Sequence, residues 1–129
     1  MSHFTTIQTQ VRDLEALRDA CHELGLQLKP KTPCRGYARQ TRKCDHTIVL
    51  KGPYDIAVDL SEAKDGTYGF TTDWWQGHVA REVGENYGRL LQSYGVNKTM
   101  REARARGLRT HRRVEQDGSI LLTLEGGRL

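Results

Sequence analysis

Four groupings of side chains in this sequence have the chemistry for a site. Cys34, Cys44 and His46 stand near one another. Thiolate sulfur and imidazole nitrogen are ligands that zinc favours, and Cys44 and His46, two apart on a strand, would point the same way. No CxxC or HxxxH pair is present to chelate from one turn, so a metal would need donors from elsewhere in the chain. The plainer reading is a small apolar cysteine at a strand start beside an exposed histidine. The second grouping is His78, Glu82 and Glu85, at helical spacing, with Asp73 just upstream. A carboxylate one turn from an imidazole orients it and raises its pKa, as a proton shuttle requires. The same residues also make a solvated helix face, with Asp73 as N-terminal cap and dipole partner. Without a nucleophile elbow or a carboxylate pair in an apolar setting, the chain leans away from an enzyme, and no cofactor or small-molecule substrate is indicated.

The third grouping is cationic. Arg101, Arg104, Arg109, Arg112 and Arg113, with Arg106 and His111 among them, crowd one short stretch. The planar guanidinium fork matches phosphate with two hydrogen bonds at once. Arg101 and Arg104 are three apart on a helix, and Arg109 and Arg113 share a strand face opposite Arg112. Glu102 and Glu115 are interspersed, and no aromatic residue lies among the arginines to stack on a base. RNA or DNA binding therefore competes with a charged helix and an edge strand protected from aggregation. The fourth grouping suits a protein partner. Trp74 and Trp75 are adjacent, and neighbours on a strand face opposite sides. Trp74 continues the register of the core side chains before it, which leaves Trp75 either exposed, as an interface anchor, or tucked under a helix start. A second basic stretch holds Arg35, Tyr37, Arg39, Arg42 and Lys43.

The chain has 129 residues, 36% hydrophobic and 28% charged, with a formal charge of +4. This length suits one domain with a real core. Three cysteines in no scaffold spacing fit a reducing compartment. No apolar run reaches the roughly 20 residues needed to cross a bilayer, and the N-terminus lacks the pattern of a secretory signal. A water-soluble, cytoplasmic protein is expected.

Central to the expected fold is the stretch from Tyr54 to Tyr94. Tyr54, Ile56, Val58 and Leu60 alternate with polar or small residues as on a half-buried strand. Asp65-Gly66 reads as the turn, and Tyr68, Phe70, Thr72 and Trp74 share one side of the return strand. Val79, Val83, Tyr87, Leu90 and Tyr94 then form a helical stripe that meets the hairpin. Upstream, His3 to Val11 reads as a strand. Asp13 caps a short helix bearing Leu14, Leu17, Cys21 and Leu24, and Gly25 stands at its C-terminal end. Leu26 and Leu28 suggest a brief strand ending at Pro30. Residues 29–45 read as an exposed basic loop with a short strand around Tyr37 and Ala38. Thr47 to Lys51 forms another strand.

Downstream, Gly95 ends the long helix and Asn97 caps a shorter one, Lys98 to Arg106. Leu108 to Leu124 is a hairpin about Asp117-Gly118, and residues 126–129 form a loose tail. The whole predicts a single α+β domain over residues 1–129. Its mostly antiparallel sheet has five to seven short strands, with one long and two short helices on one face.

The ordered pieces of the chain also carry a family resemblance. Met1-Ser2-His3-Phe4, Leu14-x-x-Leu17 with Leu24-Gly25, Arg35-Gly36-Tyr37 with Gln40-Thr41, and Tyr54-Asp55-Ile56 are four of them. Arg106-Gly107-Leu108 and Asp117-Gly118-Ser119-Ile120-Leu121-Leu122 complete the pattern. Together they resemble the reading-frame family of plastids and cyanobacteria known as hypothetical chloroplast reading frame thirty-five, with bacterial relatives. The resemblance carries over no activity, cofactor or catalytic residue. It implies an accessory protein, with an AAA-type ATPase or a small ferredoxin-like protein as partner, and for family relatives a plastid stromal location. The segment between Asp55 and Trp75 is more charged than the plastid pattern, and the arginine-rich stretch from Arg101 also departs from it.

From the residues and the resemblance together, the expected function is an accessory or adaptor that binds a protein through Trp75, Arg35, Tyr37, Arg39, Arg42 and Lys43. The alternative is a nucleic-acid-binding module using Arg101, Arg104, Arg109, Arg112 and Arg113 together with the 29–43 segment.

Overall fold

A computed structural model describes residues 3–126. Five strands build the main sheet: β1 (Thr5–Gln8), β2 (Gln27–Pro30), and then β5 (His46–Val49), β6 (Ile56–Leu60) and β7 (Tyr68–Thr72). They lie in the order β1-β7-β6-β5-β2, every neighbouring pair antiparallel. Between β2 and β5, β3 (Cys34–Arg35) and β4 (Thr41–Arg42) pair as a miniature hairpin. Three helices, α1 (Leu14–Glu23), α2 (Ala80–Val83) and α3 (Gly88–Ala105), precede a separate hairpin of β8 (Leu108–Val114) and β9 (Ile120–Gly126). The expected α+β class and its largely antiparallel sheet are what the structure has.

Register explains the core. Leu28 lies opposite Ile48 and Ile48 opposite Ile56, while Val58 lies opposite Phe70. These two rows share the face that meets Leu17, Val83, Tyr87, Leu90 and Tyr94, and all of them belong to one buried cluster. The Phe70 and Tyr87 rings meet edge to face at 5.2 Å. Each fully buried aliphatic or aromatic side chain contributes roughly 1.5–3 kcal/mol, so this sheet–helix contact dominates stability. Leu60 does not join it. That residue is 58% exposed, because β6 ends there and the chain turns away.

The connection from β6 to β7 also differs from the tight Asp65-Gly66 turn expected. It spans residues 61–67, closes with Ser61 N–H donating to Thr67 O at 2.8 Å, and holds Lys64 as well as Gly66 at positive φ.

Helix α1 forms as its sequence predicts. Asp13 accepts from Glu15 N–H and Ala16 N–H, filling two of the donors that a helix start leaves open. Gly25, at φ +74, lets Leu26 N–H reach back to Cys21 O at 2.8 Å, the bond of a left-handed helix terminus. The helical stripe from Val79, in contrast, is broken in the middle. Gly84 takes φ 84 and ψ 166, and Asn86 and Tyr87 follow at positive φ. The long helix therefore begins at Gly88 and runs through Gly95 to Ala105. Asn97 is not a cap. It is buried inside α3, where its side-chain amide donates to Ser93 O at 2.8 Å.

The 29–45 segment is largely exposed, as expected, but it is built from short strands and a turn as well as loop. Its first residues belong to β2, and its strands lie at Cys34–Arg35 and Thr41–Arg42, with Tyr37 and Ala38 in the turn between them. It covers the reverse face of the sheet, where Thr47, Ala57 and Thr71 line up across β5, β6 and β7. Thr47 Oγ1 donates to Thr32 O, and Cys34 is wholly buried. At the C-terminal end, Gly126 closes β9, and residues 127–129 of the expected tail lie outside the described residues.

Candidate protein-interaction surface

One buried carboxylate anchors the surface. Asp55, 2% exposed, accepts from Arg35 Nε at 2.8 Å and Arg35 Nη2 at 2.8 Å. It also accepts from the backbone N–H groups of Arg35 and Leu50. The same guanidinium donates to Leu50 O and Gly52 O. Such a paired, fully hydrogen-bonded carboxylate tolerates burial. Arg35, expected as a partner contact, thus ties the miniature hairpin to the β5–β6 turn. Glu82 holds that turn from the other side, accepting from Lys51 N–H at 2.7 Å and Gly52 N–H at 3.0 Å.

From this anchor the chain reaches Tyr37 through Gly36. A Cβ on Gly36 would come within 2.5 Å of the Phe4 ring, so only glycine lets the two approach. Gly36 N–H donates to Gln40 O at 2.8 Å, and Ala38 and Arg39 both take the left-handed conformation. Beyond β7, Asp73 Oδ1 accepts from Trp75 N–H at 3.0 Å, and Gln76 and Gly77 turn the chain at positive φ. The two tryptophans separate there. Trp74 packs inward with its ring centroid 4.8 Å from that of Tyr87, and Trp75 turns outward.

Outside, Trp75 meets Tyr37 edge to face at 5.8 Å. Tyr37 is 41% exposed and Trp75 37% exposed. Each ring is followed by non-glycine backbone at positive φ, which costs of order 1 kcal/mol per residue and persists only where the surroundings impose it. Beside Tyr37 an open cleft of ≈ 480 Å³ is lined by Arg35, Arg39, Gln40, Thr41, Pro53 and Tyr54. The Tyr54 ring meets His78 edge to face at 5.3 Å. Arg39 and Lys43 are exposed and form no ion pair among the described residues, whereas Arg42 pairs with Asp59 at 3.0 Å. The expected contact residues are therefore divided: Tyr37 and Trp75 meet, Arg39 lines the adjoining cleft, Arg35 and Arg42 are held by carboxylates, and Lys43 lies apart beside Cys44.

The arginines from Arg101 onward also serve the fold. Arg101 holds Asp19 through two bonds, 2.6 and 3.1 Å. Arg112 holds Glu23 at 2.6 and 2.9 Å, and Arg113 lies 3.1 Å from Glu115. Arg104 and Arg109 remain exposed and outside any ion pair among the described residues. Hydrogen bonding to Arg112 pulls the Glu23 carboxyl from 4.5 to about 2, with Ser93 assisting.

The thiol and proton-shuttle groupings are dispersed. Cys44 Sγ lies 2.9 Å from Thr47 Oγ1, on the reverse face of the sheet, while the His46 ring packs against Tyr68 on the other. Alternation is the reason: His46 and Thr47 are strand neighbours, and Cys44 precedes β5 and folds toward Thr47. Burial pushes the Cys34 thiol up to about 12, helped by the nearby Asp55 charge, and that of Cys21 to about 12. Neither is a thiolate at neutral pH. Among the described residues no three His, Cys, Asp or Glu side chains gather as metal ligands. The break at Gly84 separates Glu85 from His78 and Glu82, and the Glu82 carboxylate is taken up by the Lys51 and Gly52 N–H groups.

Sequence reasoning reached Tyr37 and Trp75 but not their contact. It gave Tyr54 to the core strand and His78 to a proton-shuttle grouping, and assigned Asp55 and Phe4 no part in the surface. Only the packing of the miniature hairpin against the turn before β6 brings Asp55 beside Arg35, and no local spacing signals that pairing.

Fold and site together define a small α+β domain with an exposed ring pair beside an open cleft. Residues 20–123 match the family described as "Protein of unknown function (DUF1257)", and the chain belongs to that family. It is similar to "Uncharacterized protein ycf35" of Guillardia theta, 28% identical over an alignment of 129 positions that covers 97% of each chain. This agrees with the plastid and cyanobacterial resemblance carried by the short sequence pieces. No solved structure matches the chain, and no helix among the described residues is long and apolar enough to cross a membrane.

Proposed function

We propose that the protein is an accessory or adaptor domain that docks a protein partner on the edge formed by Tyr37 and Trp75, with Arg39 and the adjoining cleft. The observation that carries the reading is the ring pair itself. Two large aromatic side chains from distant parts of the chain meet at the surface, each held by a turn at positive φ. Aromatic residues and arginine are the usual anchors of interfaces, and preorganised ones lose little entropy on binding. The partner classes to present first are an AAA-type ATPase and a small ferredoxin-like protein, the two that the family resemblance suggests.

The test is affinity capture from the source cells by the unaltered chain, by Trp75→Ala and by Tyr37→Ala, each checked for folding by circular dichroism. An anchor worth about 2 kcal/mol lowers affinity roughly thirtyfold, so the main co-purifying species should be lost from both variants. Its full retention in both would overturn the proposal. A labelled oligonucleotide at about 50 mM salt serves as the comparison. Strong binding that falls steeply with added salt and depends on Arg104 and Arg109 would favour the nucleic-acid reading instead. That reading has less support, because Arg101, Arg112 and Arg113 are already engaged by carboxylates.

A further inference from the structure

The β8–β9 hairpin forms a sheet of its own, with no third strand among the described residues. In an antiparallel ladder, pairs that exchange both main-chain bonds alternate with pairs whose N–H and C=O groups point outward. Glu115 N–H donates to Ser119 O at 2.8 Å. The register carries this bonded set on to Arg113–Leu121, His111–Thr123 and Arg109–Glu125. The main-chain groups of Ile120, Leu122 and Leu124 therefore face away from β8. An open strand edge of this kind is a template for another strand.

The two edges of the hairpin differ in charge. β8 carries Arg109, His111, Arg112 and Arg113, so pairing it with β8 of a second copy would oppose like charges. β9 runs Ile-Leu-Leu-Thr-Leu from Ile120 to Leu124, with no charge, proline or glycine. Leu121 and Leu124 are each 44% exposed. The one charge of β9, Glu125, is engaged by His111 at 2.6 Å. From Ile120 to Leu124 the strand carries no charge, proline or glycine of the kind that normally protects an edge.

We propose that the chain forms a two-fold dimer in which β9 pairs antiparallel with β9 of a second copy, fusing two hairpins into one four-stranded sheet. With the axis at Leu122, that residue faces its counterpart, Ile120 faces Leu124, and Leu121 faces Thr123. No charge meets a charge, since Glu125 falls opposite Ser119. The pairing adds on the order of six main-chain hydrogen bonds, and an isologous contact closes without growing into a fibre. One strand pair lies at the small end of specific interfaces, so the dimer dissociates on dilution.

Sedimentation velocity of the full chain, from about 1 µM to about 500 µM, a range suited to an interface of this size, should show the mass doubling. Leu124→Pro removes an outward N–H and leaves the β8–β9 bonds intact, so it should keep the chain monomeric throughout. Thr110→Pro, the matching change on the β8 edge, should leave the doubling unaltered. Hydrogen exchange on the unaltered chain gives a reading that no misfolded variant can confuse. The amides of Leu122 and Leu124 should slow at least tenfold as concentration rises, and those of Thr110 and Arg112 should not. A monomer at every concentration, a dimer indifferent to Leu124→Pro, or protection gained on β8 would each overturn the proposal.

Discussion

Asp55 shows how one side chain can decide the shape of a surface. Its carboxylate satisfies backbone N–H groups in two segments and both forks of Arg35. Asp55→Ala leaves the Leu50 N–H without its acceptor and Arg35 without its counter-charge. Because the Arg35 side chain is 44% exposed and can be hydrated, the cost is mainly that of the stranded N–H groups, about 1–3 kcal/mol, which urea unfolding should register as a lowered midpoint at unchanged slope. Arg35→Ala should be the more harmful, by about 3 kcal/mol or more, because it strands a buried carboxylate. Trp75→Ala, at a partly exposed ring, should leave the midpoint within roughly 1 kcal/mol of the unaltered chain. That contrast separates the residue that builds the surface from the one proposed to meet the partner.

At the scale of elements, two glycines that look alike in the sequence act in opposite ways. Gly84 has a backbone conformation that only glycine adopts readily, and a Cβ there would lie 2.9 Å from Arg89 N. Gly95 is helical, and a Cβ would meet nothing within 4 Å. Gly84→Ala should destabilise by about 1–3 kcal/mol, while Gly95→Ala should stabilise by roughly 0.5–1 kcal/mol. Thermal unfolding of the two variants should therefore shift in opposite directions.

The terminal hairpin has a pH signature of its own. Glu23 sits at the C-terminal end of α1, where the helix dipole disfavours a negative charge, and Arg112 compensates from β8. Its carboxyl titrates at about 2 in the fold against an ordinary 4.5, so the folded state favours the ionised form. The resulting stability is fully present above pH 4.5 and is lost as pH falls toward 2. Hydrogen exchange should show the hairpin loosening through that window, and Glu23→Gln should abolish this part of the dependence.

For the molecule as a whole, the alternation of Ile56 and Val58, the Asp13 cap, the Gly25 terminus and the Asp117-Gly118 hairpin were legible because each is a local fact. A period of two or 3.6 residues, or a glycine where φ must be positive, is set by neighbours in the chain. These sufficed for the α+β class and the single core, while Trp75 stayed open between an exposed position and one under a helix start. The break at Gly84 was not legible, since the hydrophobic stripe runs straight through it and only the packing of Tyr87 against Phe70 and Trp74 demands the turn. Nor could residues 29–45 be read as cover for the reverse face of the sheet. Their basic side chains suggest solvent until Asp55 and Asp59 arrive opposite Arg35 and Arg42. Periodicity, caps and turns are decided by residues within a few positions of one another. Which carboxylate meets which arginine, and which ring meets which ring, is decided by strand register and the way the sheet is covered, and those exist only once the chain has folded.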